Sequence, residues 1–231
     1  MKKLLSCMAI AFLFHASVVF ASEVDLTKDG QMQKYISNIG FHILNSNRIE
    51  KKMSFYYRQD SKNINATASC RDRSIVFHRG LAVYLDSEDE FAAVLAHEIS
   101  HGVDFYDGIF RGYFSGLTNY IEPRKYERKA DKRAIDYMVQ AGYNPVALIV
   151  VMNKTMPQER YEIFSTHPLT SRRMMYVYEY IYNKYPEYLA NNVYKNNVYY
   201  QNFLLTSRVN RQKFQKSIEN PTKRNKTVQY L

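Results

Sequence analysis

"FAAVLAHEISHGVDF" (residues 91–105) reads almost throughout as the inside of a protein, yet it carries His97, Glu98 and His101 within a turn and a half. Burying an ionisable group costs roughly several kcal/mol unless it finds a partner. Histidines four residues apart on a helix stand one above the other, their Cβ atoms about 5–6 Å apart. Both imidazoles can therefore reach one metal ion at about 2.0–2.1 Å. Glu98 is turned about 100° from His97, near enough to touch a water beside that ion without being a ligand. This is the physical content of H-E-x-x-H, two ligands and a base on one rigid rod, and the donor set suits zinc. A surface helix with two exposed histidines is the bland reading of the same motif. The apolar flanks Phe91, Ala92, Ala93, Val94, Leu95 and Ile99 argue against it.

A catalytic zinc site needs a third protein ligand and one open position. Downstream, "YERKADKRAIDYM" (residues 126–138) sets Glu127 and Asp131 again four apart on a helix, with Ala130 and Ala134 small enough for close helix packing. Glu127 can complete a two-His-one-Glu set. Asp131, one turn on, can accept the second ring N–H of His97 and fix its tautomer. Without the upstream motif both would read as solvated charges among Arg128, Lys129, Lys132 and Arg133.

Around these two segments the chain reads as α+β and mostly helical. Leu26–Leu44 has apolar residues at helical spacing, and extended pieces follow at Met53–Gln59, Ile64–Cys70 and Ser74–Gly80. They predict a small antiparallel sheet, built on hairpin-like turns beside the active-site helix. Ser87 and Glu90 form a capping box, and Asp86, Glu88 and Asp89 put negative charge at the positive helix end. Residues 102–123 are glycine- and aromatic-rich, a loop or lid. Pro123 opens a helix that runs to Ala141 and stops at Gly142, and another starts at Pro145. The tyrosines at 176, 178, 180 and 182 fit a strand or a helical stripe equally well.

The 231 residues suffice for one ordinary domain. "MKKLLSCMAIAFLFHASVVFASE" has a two-lysine start, an apolar stretch, and Val19 and Ala21 placed for cleavage before Ser22. Residues 1–21 are thus expected to be a signal peptide and the protein periplasmic. An uncleaved anchor would want about 20 apolar residues, and His15 interrupts the run. Cys7 sits too early for a lipid-anchor signal, which leaves Cys70 as the mature chain's only cysteine, expected to be a buried, inert thiol. The net charge is +10, and from Ala190 onward eight cations face Glu219 alone. The division expected is a catalytic domain at 22–187 and a basic, tyrosine-rich helical extension or tail at 188–231. That tail could rest on an anionic membrane surface, or simply be solvated. Nucleic acid is a poor match to an exported chain without a binding motif.

Four segments in order resemble peptidase family M48, which includes the prenyl proteases and HtpX-like heat-shock proteases: "NATASC", "GLAVYLDSEDEFAAVLAHEISH", "ERKADKRAIDYMVQAGYNP" and "HPLTSRR". The resemblance runs from about Asn65 to Arg173. It implies a gluzincin-type metalloprotease domain with one zinc per chain on His97, His101 and Glu127, and Glu98 as general base and acid. His167 would lie opposite the metal, either stabilising the oxyanion or blocking the zinc at rest. Arg173 would brace that loop or form a structural ion pair, and Asn65 would hold substrate backbone. The activity implied is hydrolysis of internal peptide bonds in unfolded or misfolded envelope proteins. Substrate is expected to add as a strand along the edge of "SIVFHRG", against Ile75 and Phe77. The rival is a non-catalytic chaperone or assembly factor that keeps zinc for stability. The chain lacks the membrane helices of the prenyl proteases and the tetratricopeptide repeats of some periplasmic relatives. The linker from His101 to Glu127 also looks short for a lid.

Overall fold

The structure, a computed structural model, describes residues 29–69, 71–105, 123–155, 170–219 and 230. The expected signal peptide at residues 1–21, Cys70, the glycine-rich segment beyond Phe105 and His167 lie outside the described residues. Helix α1 (Asp29–Ser46) buries the stripe Met32, Ile36, Ile39 and Ile43. Strands β1 (Ser54–Arg58), β2 (Ala66–Ser69) and β3 (Ser74–His78) follow, and then α2 (Arg79–Ala82) and α3 (Glu88–Phe105). After these come α4 (Pro123–Gln140), α5 (Ala147–Thr155), α6 (Thr170–Lys184), α7 (Glu187–Ala190), α8 (Val198–Thr206) and α9 (Arg208–Glu219). The class is α+β and mostly helical, as expected. The four tyrosines at 176–182 fall in α6, so the helical stripe is the correct reading.

The sheet differs from expectation. Its order is β1-β3-β2: β2 and β3 form the expected antiparallel hairpin, but β1 runs parallel to β3, with Phe55 beside Ile75. The sheet is therefore mixed. Its most apolar strand takes the centre, where both of its edges are paired and its side chains are covered. Ile75 and Phe77 are core residues at 1% and 0% exposure. Neither can contact a substrate, and β3 has no open edge to offer one. The outer side of β1 is closed as well. There the Gln33 amide of α1 donates to Phe55 O at 2.7 Å and accepts from Tyr57 N at 2.8 Å. Among the described residues β1 and β2 are the two edges of the sheet, and neither has a strand on its outer side.

Helix α3 starts where the capping signal put it, and Ser87 Oγ accepts from Glu90 N at 3.3 Å. The reciprocal bond reaches one residue further back: Glu90 Oε2 accepts from Asp86 N, and Lys154 of α5 donates to the same oxygen at 2.7 Å. Glu88 accepts from the Tyr143 hydroxyl, and Asp89 from Asn144 N and the Tyr194 hydroxyl. The negative residues thus bolt the helix start to its neighbours besides complementing its dipole. Helix α4 ends in a Schellman turn: Gly142 has φ +82°, Tyr143 N donates to Met138 O, and Gly142 N donates to Val139 O.

The described residues of the C-terminal segment are helical and pack on the rest of the chain. Tyr200, Phe203, Phe214 and Tyr230 belong to the same buried cluster as α3 and α5, and Phe214 packs edge-on against Tyr182 of α6. No helix among the described residues is long and apolar enough to cross a membrane.

Candidate metal centre

Helix α3 supplies His97, Glu98 and His101, all nearly buried. Helix α4 crosses it and supplies Glu127 and Asp131 from the face that also carries Ala130 and Ala134, both buried, so the backbones can approach closely. At the far end of the crossing, Asp104 of α3 accepts from Lys129 and Arg133 of α4, both at 2.9 Å. Arg133 also donates to Ser100 O. These bonds set the angle of α4 against α3 and hence where Glu127 points.

Three groups converge. The Nε2 atoms of His97 and His101 are 2.9 Å apart, Glu127 Oε1 lies 3.3 Å from His101 Nε2, and Glu127 Oε2 lies 3.5 Å from His97 Nε2. Ligands held tetrahedrally at about 2.0–2.2 Å from zinc are separated by about 3.3–3.5 Å. The two His–Glu separations match that spacing, the 2.9 Å between the imidazoles is about 0.4 Å shorter, and the donor types fit a zinc ion.

Two supports stand behind the ligands. His97 Nδ1 faces Asp131 Oδ1 at 3.0 Å, as the second-carboxylate reading requires. Arg173 of α6 grips Asp131 with Nη2 and Nε at 2.7 and 2.9 Å, and its Nη1 reaches Glu127 Oε2 at 2.9 Å. All three are nearly buried. Burial opposes a charge on His97, but the carboxylates of Asp131 and Glu127 outweigh it and push the imidazole up to about 10 in the metal-free chain. Burial likewise works against the Asp131 carboxylate and is overcome by Arg173 and His97, which hold it below its ordinary value. Arg173 stays charged for the same reason: burial is outweighed by Asp131 and then Glu127.

The structure thus brings together five of the expected residues: His97, His101, Glu127, Asp131 and Arg173. Glu98 is next to His97 on the same helix, close enough for its charge to act on Arg173. Asn65 is exposed just before β2, where its carbonyl accepts from His78 N. Sequence reasoning missed Tyr126, whose ring stacks on His101 with centroids 4.7 Å apart. It also missed the Asp104 brace. Neither carries a motif, because each depends on how two helices cross.

The model of peptidase family M48 matches residues 28–109 and 105–181, about two thirds of the chain. Among curated proteins, the beta-barrel assembly-enhancing protease of Escherichia coli (strain K12) is 24% identical over 191 residues, covering 64% of this chain and 39% of that protein. The protein of the same name in Yersinia pestis is 26% identical over 192 residues, with the same coverage. The chain spans about two fifths of the length of the curated relatives it matches. With the family match extending over both helices that build the centre, the chain belongs to peptidase family M48.

Proposed function

We propose that the chain is a zinc-dependent endopeptidase that cleaves internal peptide bonds of unfolded or misfolded polypeptides in the periplasm. The observation that carries this reading is the convergence of His97, His101 and Glu127 with a carboxylate, Glu98, beside them on the same helix. A purely structural zinc site has no use for that fourth group. The relatives' name, with its reference to beta-barrel assembly, supports a place in envelope protein quality control, and the lysine start and apolar run of residues 1–21 support export.

His97, His101 and Glu127 would hold the ion, which when bound supplies a Lewis acid for the scissile carbonyl and lowers the pKa of water. Glu98 takes the proton of the attacking water and delivers it to the leaving amine. Asp131 keeps His97 Nδ1 protonated so that Nε2 offers its lone pair, and Arg173 holds Asp131 and Glu127 in place. His167 is the proposed donor to the oxyanion, or the group that fills the open position at rest. Substrate adds as a strand on β2 rather than β3, because β2 is an edge strand while β3 is paired on both sides, and Asn65 just before β2 would bind substrate backbone.

The test is zinc content and casein cleavage of the purified chain beside Glu98→Gln. The variant is expected to keep zinc and fold and to lose at least about a hundredfold in rate. Undiminished cleavage by Glu98→Gln would remove Glu98 as the base. A wild-type chain that holds zinc and cleaves nothing would instead be the zinc-stabilised assembly factor.

A further inference from the structure

The four most exposed large apolar side chains among the described residues fall within one stretch of seventeen: Val193, Val198, Leu205 and Val209, from 55% to 75% exposed. Helices α8 and α9 meet at Ser207, but hydrogen bonds of helical spacing run through the junction: Ser207 N donates to Phe203 O and Arg211 N to Ser207 O. The two can therefore be treated as one helical surface. Its inner side is the buried row Tyr200, Phe203, Ser207, Asn210 and Phe214. Val198, Leu205 and Val209 stand seven and then four residues apart, which at 100° per residue places them within about 40° of one another. That direction is opposite the buried row, facing water.

Along the sequence that carries this strip the charge has one sign. No acidic residue occurs between Glu187 and Glu219, while Lys195, Arg208, Arg211, Lys213 and Lys216 lie in that interval. Arg208 and Lys216 are exposed beside the strip, and Arg211 is turned inward onto Leu204 O and Ser207 Oγ. Aliphatic side chains flanked by long cationic ones suit a bilayer interface. The apolar groups enter the headgroup–acyl boundary there, while the cations stay at the level of the phosphates.

We propose that the outer face of α8 and α9, with Val193 in the turn before it, is a docking surface for an anionic phospholipid membrane. A protein partner would be expected to present acidic groups among complementary pockets. Four isolated aliphatic chains with unpaired cations around them match a fluid, negatively charged surface better. The docking does not depend on peptidase activity, because none of these residues belongs to the metal centre.

The test uses the full chain, as its expression host processes it, floated with vesicles of phosphatidylglycerol and phosphatidylethanolamine and, separately, of phosphatidylcholine. Binding is expected to the anionic vesicles, to weaken with salt, and to be slight on the neutral ones. Arg208→Gln with Lys216→Gln should lower partitioning roughly fivefold per cation removed. Leu205→Ser with Val209→Ser should lower it roughly tenfold. All four side chains are exposed, so an unchanged melting temperature will show that both variants fold. Equal flotation of the variants and the wild type, or no flotation at all, would overturn the proposal. A dimer in light scattering that the serine pair abolishes would assign the face to a second copy of the chain.

Discussion

Removing Arg173 exposes how the metal centre is balanced. In the metal-free chain at neutral pH the buried carboxylates of Glu98, Glu127 and Asp131 surround two cations, Arg173 and the protonated His97. Arg173 makes three contacts of 2.7–2.9 Å to the two carboxylates. Arg173→Met keeps much of the side-chain volume and deletes the charge that offsets Glu127 and Asp131, leaving buried carboxylate charge uncompensated in a pocket nearly shut from water. Breaking a buried pair in this way costs about 3–5 kcal/mol, most of it the uncompensated charge. For a domain of this size that is a fall of roughly 10 °C in melting temperature. Arg173→Lys retains the charge but cannot present a fork to Asp131, so an intermediate loss of about 1–2 kcal/mol is expected. The measurement is thermal and urea unfolding of chelator-treated protein, with Arg172→Met as the half-buried neighbour control. Adding zinc should recover more stability in Arg173→Met than in the wild type, because the ion replaces the lost positive charge. A loss below about 1 kcal/mol, or the same loss from Arg172→Met, would refute the account of Arg173 as the charge that holds Glu127 and Asp131 together.

Two further expectations follow from the same geometry. The His97 imidazole, pushed up to about 10, holds its proton at pH 7, so zinc must displace it. Calorimetry in buffers of different ionisation enthalpy should show proton release, with zinc affinity rising about tenfold per pH unit between about pH 7 and 10; uptake with no proton released would contradict it. The sign for the metal-free fold is opposite: stability from this pairing is complete below about pH 6.5 and is lost as pH rises through about 10. Phe203 is fully buried in the C-terminal segment, and Phe203→Ala should cost about 3–5 kcal/mol in one cooperative unfolding transition. A separate early transition, or no change, would return residues 188–231 to the status of an independent tail.

The elements legible in the sequence are those set by local rules. Helix α3 announced itself by an acidic N-terminus, a serine cap and an apolar face, and His97, Glu98 and His101 by spacing along one helix. Glu127 and Asp131 were legible for the same reason, and Gly142 marked the end of α4 because a left-handed residue is needed there. What the sequence could not decide was which elements become neighbours. Nothing in Ser54–Arg58 says that it pairs parallel to β3 instead of hairpinning onto β2; that outcome depends on the apolar central strand being covered from both sides. Hence Ile75 and Phe77, which looked like an accessible edge, are core. The C-terminus read as a basic helical extension or tail because charge and helical spacing are visible in a sequence, whereas the inward row of Tyr200, Phe203 and Phe214 acquires meaning only against α6. Arg173, 42 residues from Asp131 along the chain, is the limiting case. A motif could suggest that it mattered, but only the packing of α6 on α4 determined that its charge lies on Glu127 and Asp131, because Coulomb energy depends on distance in space and not along the chain.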